Sequence, residues 1–215
     1  MKLSSIFRKL IMAITGLFLI SFLFIHLIIN LFTLAPTKDL FNDAAHFMAT
    51  NPVIFAMQYI LALGFLIHII MGINLTIQNK MARSQNYAYN NMSSNTDFSS
   101  RSMIISGGLI IIFLILHLRD YFYQMKFVGL PEGTTDYDLV VTLFSNPFYT
   151  ALYVFSFIVL GFHLNHGFKS AFQSVGANHN KYNPVIKAIS TGYSIIIALG
   201  FSTIAIYHFI NQYNF

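Results

Sequence analysis

Four histidines, His26, His68, His117 and His163, each lie deep inside a different long apolar stretch of a 215-residue chain. An ionisable side chain in such a setting is costly and marks a functional site by default. Imidazole is the commonest protein ligand for metals. One per apolar segment, four times over, points to metal ligation rather than to packing.

These side chains need elements that hold them. A membrane span takes about 20 mostly apolar residues. Five stretches qualify, at roughly 10–34, 53–77, 103–125, 147–172 and 187–210, and we number them spans I–V. Their apolarity is near-continuous rather than alternating, which favours helices over a β-barrel. Pro52, Pro147 and Pro184 stand just before three of them, where proline suits a helix start. The predicted fold is therefore all-α and transmembrane: one domain over 1–215, with spans I–IV bundled around the histidines.

Composition agrees. The chain is 56% hydrophobic and 9% charged, against about 25% charged in soluble domains. Its net charge of +5 comes from basic residues scattered between apolar runs, so no nucleic-acid partner is expected. There is no cysteine, which excludes disulfides, thiolate-bound iron–sulfur clusters and covalently attached c-type haem. The apolar run after Lys2, Arg8 and Lys9 is too long for a signal-peptide core and is expected to remain as the first span.

The connecting segments set the orientation. Lys2, Arg8, Lys9, Lys80, Arg83, Arg101, Lys169, Lys181 and Lys187 fall on one side, and only Lys38, Arg119 and Lys126 on the other. The basic-rich side is the cytoplasmic one, so the N-terminus is inside and, after five spans, the C-terminus outside. Asp39, Asp43, Asp120, Glu132, Asp136 and Asp138 fall outside, and Asp97 alone inside. The polar stretch SQNYAYNNMSSNTDFSS (84–100) is a cytoplasmic loop, either a docking surface or a plain solvated connection.

Depth then sorts the histidines. At a rise of about 1.5 Å per residue, His26 lies about 24 Å along span I and His117 about 22 Å along span III, counted from the inside. His68 and His163 lie about ten residues, or roughly 15 Å, from the inner ends of spans II and IV. His26 and His117 form an outer pair, and His68 and His163 an inner pair. Two opposed imidazoles with a plane between them are what bis-histidine haem ligation in a helical bundle requires, so two haems b are expected. Structural zinc would want four clustered ligands instead.

Glycines fit the same scheme. Gly72 and Gly167 each follow an inner histidine by one turn, where a flat macrocycle can approach the backbone. Gly16 and Gly107 each precede an outer histidine by ten residues, so spans I–II and III–IV read as a faint internal repeat. His166, one turn from His163, is the alternative ligand or a pocket partner. His208 is read as a packing residue, and His46 and His179 as loop residues.

With these residues in view the chain resembles a known family, the cytochrome b (b558-type) membrane anchor subunits of succinate dehydrogenase and fumarate reductase. The form is the single-polypeptide one, with five helices and two haems. The resemblance covers nearly the whole chain. It is carried by KLIMAITGLFLISFLFIHLIIN (9–30), FNDAAHFMATNP (41–52), HIIMG (68–72) and FHLNHGFKSAFQSVG (162–176). The last of these, with NHNKY (178–182), looks like the branch found in Bacteroidetes-type bacteria. The resemblance implies an inner haem on His68 and His163 and an outer haem on His26 and His117, the pairing that depth gives. It implies flavoprotein and iron–sulfur partners on the cytoplasmic side of a bacterial inner membrane. Electrons would pass between succinate and a membrane quinone, with menaquinone the expected low-potential species. This chain would be the quinone-reactive subunit, and the succinate chemistry would stay on the flavoprotein.

In dihaem fumarate reductases a carboxylate of the I–II region helps protonate the quinone. Asp43 and His46 are the corresponding candidates here, an exposed acidic loop being the alternative. Some relatives carry a glutamate two residues before the span IV ligand. This chain has Gly161 there, and that proton pathway is not expected. Haem propionates need cationic or hydrogen-bonding partners. Arg8, Lys9, Arg83 and Arg101 are candidates at the inner level, and Arg119 and Lys126 at the outer, although such residues also serve as interfacial anchors. Two other functions compete. One is a cytochrome b subunit of a hydrogenase or formate dehydrogenase. The other is a haem-free proton-coupled transporter, against which the parallel sense of the repeat argues.

Overall fold

Seven α-helices and no strand make up the described residues, 4–81 and 103–212, of the computed structural model of the chain. Five helices are long and apolar enough to cross a membrane. They are α1 (Ser5–Leu31, prolonged by a 3-10 turn at Phe32–Leu34), α3 (Pro52–Met81), α4 (Met103–His117), α6 (Pro147–Ser174) and α7 (Asn183–Asn211). These are spans I–V, and the chain is an all-α, multi-pass membrane protein. Two shorter helices, α2 (Asp39–Thr50) and α5 (Asp136–Phe144), lie in the outer connections, where the sequence had been read as loop. Lys2, Arg83, Arg101 and the 84–100 stretch fall outside the described residues.

Local chemistry sets the helix ends. Asn51 accepts from the N–H groups of Val53 and Ile54, and Asn146 from those of Phe148 and Tyr149, each satisfying donors that an N-terminus leaves free. Pro52 and Pro147 each open their helix, where a missing N–H is no loss. Past His117, α4 continues as a π-helix over Leu118–Val128. It closes at Gly129, whose N–H donates to the Gln124 carbonyl at 2.9 Å with φ at 81°. Wide turns of this kind are rare and gather at functional sites.

The fifth span belongs to the core rather than to its edge. Ile197 and Ala205 of α7 are fully buried, among Leu27 of α1 and Tyr153, Phe157 and Leu164 of α6. Polar ties fix its register. Ser190 donates to the Asn165 carbonyl at 2.7 Å, and Tyr193 donates to the Ile20 carbonyl at 2.6 Å. By contrast, α3 buries only Gly64 and turns Ile60, Leu63, Leu66, Ile70 and Ile77 outward, as suits contact with lipid tails.

On the outer side, α5 starts with a capping box. Thr135 accepts from the Asp138 N–H, and its own N–H and hydroxyl donate to the Asp138 carboxylate at 2.8 and 2.7 Å. Partial burial alone would raise the Asp138 pKa. The Thr135 donors, with Lys38 at 3.6 Å, outweigh it and hold the carboxyl below its ordinary value. A depressed folded pKa means that this stabilisation is present above the unfolded value, about 3.9, and fades as pH falls through the lower folded value. Amide protection in 136–144, taken relative to the intrinsic exchange rate at each pH, should therefore fall below about pH 4, and Asp138→Asn should show the lower protection already at neutral pH.

Candidate functional site

The inner pair is assembled from four helices. His68 of α3 presents Nδ1 to the Thr15 hydroxyl of α1 at 3.3 Å, and His163 of α6 presents Nδ1 to the Ser106 hydroxyl of α4 at 3.2 Å. Each hydroxyl spends its own proton on a carbonyl of its helix. Thr15 donates to Ile11 and Met12 at 2.9 and 3.1 Å, and Ser106 donates to Met103 at 3.1 Å. With those protons on the carbonyls, each hydroxyl oxygen is placed to accept from a protonated Nδ1, the tautomer that leaves the Nε2 lone pair free. A histidine that ligates a metal through Nε2 needs that tautomer. For His68 the Met12 carbonyl is a further hydrogen-bond partner.

Glycines bring the backbones close. A Cβ on Gly16 would stand 3.3 Å from His68 Cε1, and one on Gly107 would stand 3.5 Å from His163 Cε1. The sequence tied these two glycines to the outer histidines; in the structure they lie against the inner ones. A Cβ on Gly72 would meet Met12 at 3.5 Å, and one on Gly167 meets nothing within 4 Å, so neither touches a histidine ring. His166 lies near enough to His163 to act on it electrostatically.

The outer pair meets directly. The rings of His26 on α1 and His117 on α4 are 5.8 Å apart between centroids and nearly perpendicular, at 86°. Phe22 stacks on His26 at 5.3 Å, and Phe113 lies over His117 at 5.7 Å, each one turn before its histidine. Phe201 lies against His26, and Tyr121 and Tyr153 against His117. Asn30 donates to the His26 carbonyl at 2.8 Å, with its amide nitrogen 3.4 Å from His26 Nδ1. His117 Nδ1 is buried without a hydrogen-bond partner among the described residues.

A constant offset of 91 residues relates Thr15 to Ser106, Gly16 to Gly107, Phe22 to Phe113 and His26 to His117. The repeat seen in the glycines and histidines thus extends to a hydroxyl and an aromatic that sequence reasoning had not singled out. Among the described residues no three His, Cys, Asp or Glu side chains gather at one point. His26 meets His117 ring to ring, and His68 lies near enough to His163 to act on it electrostatically.

One acidic residue changes standing. Asp120, read as an acid of the outer side, is buried within α4's π-helical turn. It accepts from the Tyr153 hydroxyl at 2.8 Å and from Arg119 Nε at 2.8 Å, while Arg119 also donates to the Tyr149 hydroxyl at 3.1 Å. Tyr153 packs against His117, so this cluster adjoins the outer pair. An arginine–aspartate dipeptide within a turn of an intramembrane histidine is the signal that could have found it. Asp43 and His46 are both exposed on α2.

The remaining candidates fall as follows. Arg8 is half-buried, and its Nε has no hydrogen-bond partner among the described residues. Lys9 is exposed, and Lys126 faces Asp136. His208 is 1% exposed beside Tyr137 and Tyr207, with neither ring nitrogen partnered. His179 is exposed and accepts from the Lys181 N–H.

No family model matches the chain, and no solved structure matches it. Over 192 residues, 89% of this chain and 86% of the relative, it is 25% identical to the succinate dehydrogenase cytochrome b558 subunit of Bacillus subtilis. Most of the chain is therefore similar to the cytochrome b subunit of a succinate dehydrogenase.

Proposed function

We propose that this chain is the dihaem cytochrome b anchor of a succinate dehydrogenase or fumarate reductase. His68 and His163 would ligate the inner haem, and His26 and His117 the outer one. What supports the reading is the ring contact of His26 with His117 from two membrane helices, together with a second couple, His68 and His163, close enough to interact electrostatically. Two opposed imidazoles complete a metal's coordination only if the other ligands arrive with it, as the ring nitrogens of a haem do.

The residues fit such a group. Among the described residues His117 Nδ1 and Arg8 Nε are buried nitrogens without protein partners, and Arg8 lies about 10 Å below Thr15 along α1, on the side where an inner propionate would seek a cation. Gly16 leaves the His68 ring space that a methyl group would take. Haem supplies a centre that changes its charge by one electron. The chain's own side chains do the rest. Thr15 and Ser106 keep the Nδ1 protons in place, and Phe22, Phe113, Phe201 and Tyr153 keep water from the outer imidazoles.

The Bacillus relative is a succinate dehydrogenase subunit by name, which supports catalytic partners for this chain too. A flavoprotein and an iron–sulfur protein would dock on the basic, cytoplasmic side of a bacterial inner membrane. Electrons would pass between them and a membrane quinone of the menaquinone class. Asp43 and His46 remain the quinone-site candidates drawn from the resemblance.

A reduced-minus-oxidised spectrum with pyridine haemochrome quantitation tests the reading. Two low-spin haems b per chain, co-purifying with a flavin- and iron–sulfur-containing partner, are expected. One haem per chain would break the paired assignment, and none in a folded preparation would remove the cytochrome function altogether.

A further inference from the structure

We infer that Thr15 and Ser106 are positioning residues of the inner site, which fix the rotation and the donor strength of its two histidines from the neighbouring helices. The inference rests on the dihaem reading and goes beyond the ligands themselves.

Serine and threonine in membrane helices commonly donate back to a carbonyl of the preceding turn. Ser21, Thr76 and Ser156 do so here. Thr15 and Ser106 make the same back-bond, and each in addition meets an imidazole nitrogen of another helix, at 3.3 and 3.2 Å. The two arrangements are copies at the 91-residue offset, each followed directly by the glycine that lets the ring approach. Chance back-bonding gives no reason for a matched hydroxyl–glycine pair against each of two histidines.

The chemistry follows from the direction of the bonds. A ring whose Nδ1–H is held by an acceptor cannot rotate freely about its outer bonds, so Nε2 keeps one direction. The same acceptor raises the electron density that the imidazole offers to a metal. A stronger donor favours the oxidised iron, so losing the hydroxyl should raise the midpoint potential of the inner haem. The outer pair lacks this device. His26 has the Asn30 amide of its own helix nearby, and His117 Nδ1 has no partner. The effect should therefore be confined to one haem.

The test is a potentiometric titration with low-spin electron paramagnetic resonance spectra, on the complete complex carrying Thr15→Val or Ser106→Ala. Valine keeps the shape of threonine, and Thr15→Ser and Ser106→Thr keep the hydroxyl as folding controls. The expected result is an upward shift of one haem's midpoint and a changed low-spin signal for that haem alone, both reversed in the hydroxyl-keeping variants. Combined with His26→Ala the shift should persist, and combined with His68→Ala it should vanish. An unmoved inner haem in both hydroxyl-less variants, or equal shifts in both haems, would overturn the inference while haem content stayed at two per chain. A wild-type complex without two haems would instead overturn the reading beneath it.

Discussion

On the dihaem function proposed above, replacing His117 by alanine is expected to remove one haem of the two and leave the other intact. His117 is the last α-helical residue of α4, and its ring lies 5.8 Å from that of His26 with aromatic side chains around both. Alanine there leaves His26 facing tyrosine and phenylalanine rings, none of which offers a neutral nitrogen to the metal. The inner pair lies on other residues and other hydrogen bonds, so it should keep its haem. The spectrum should lose about half its α-band intensity, and the haemochrome assay should fall from two haems per chain to one. His208→Ala is the control. His208 is more deeply buried than His117, yet it lies against Tyr137 and Tyr207 rather than with either pair. Both haems should survive there. A His117→Ala protein that kept two haems would sink the outer assignment.

Gly161→Leu should destabilise the bundle more than any other single glycine change in α6. A Cβ at this position already stands 3.0 Å from the Ala198 Cβ and 3.4 Å from the Ser194 carbonyl oxygen of α7. Neither neighbour is the far end of a flexible chain, so α6 and α7 must part to admit a larger side chain. Overpacking of this kind typically destabilises by about 1–3 kcal/mol, and separating two helices belongs at the upper end. Thermal unfolding of the detergent-solubilised protein, followed by circular dichroism, should show a clearly lowered midpoint. Gly192→Ala in α7, where a Cβ meets nothing within 4 Å, should leave it unchanged. An equal midpoint for Gly161→Leu would mean that the α6–α7 contact is looser than these distances require. The same contact explains why a glutamate does not fit at this position.

The spans were legible because apolar runs of this length have few other uses, and the depth of each histidine follows from the helical rise alone. The outer helices were missed for a related reason. A search for spans passes over nine- and twelve-residue elements, although Thr135 and Asp138 spell a capping box. The glycines were joined to the wrong pair because spacing along one helix does not say which neighbouring ring a residue meets. Asp120 read as an ordinary acid of the outer side because its partner Tyr153 lies 33 residues away on another helix. The π-helical turn has no local signature at all, since it depends on which carbonyl each N–H selects.

The interval between Gly16 and His26, matched by that between Gly107 and His117, works as a ruler. One extra residue in either interval would turn the histidine about 100° around the helix axis and lift it about 1.5 Å. Of the nine residues within, only Ile20, Phe22 and Leu23 are repeated as Ile111, Phe113 and Leu114. What the two helices share is therefore a length more than a sequence. Outside the repeated Ile20, Phe22 and Leu23 and their counterparts, substitutions that stay apolar should be tolerated in these intervals, whereas a single insertion or deletion should separate the two sites at once.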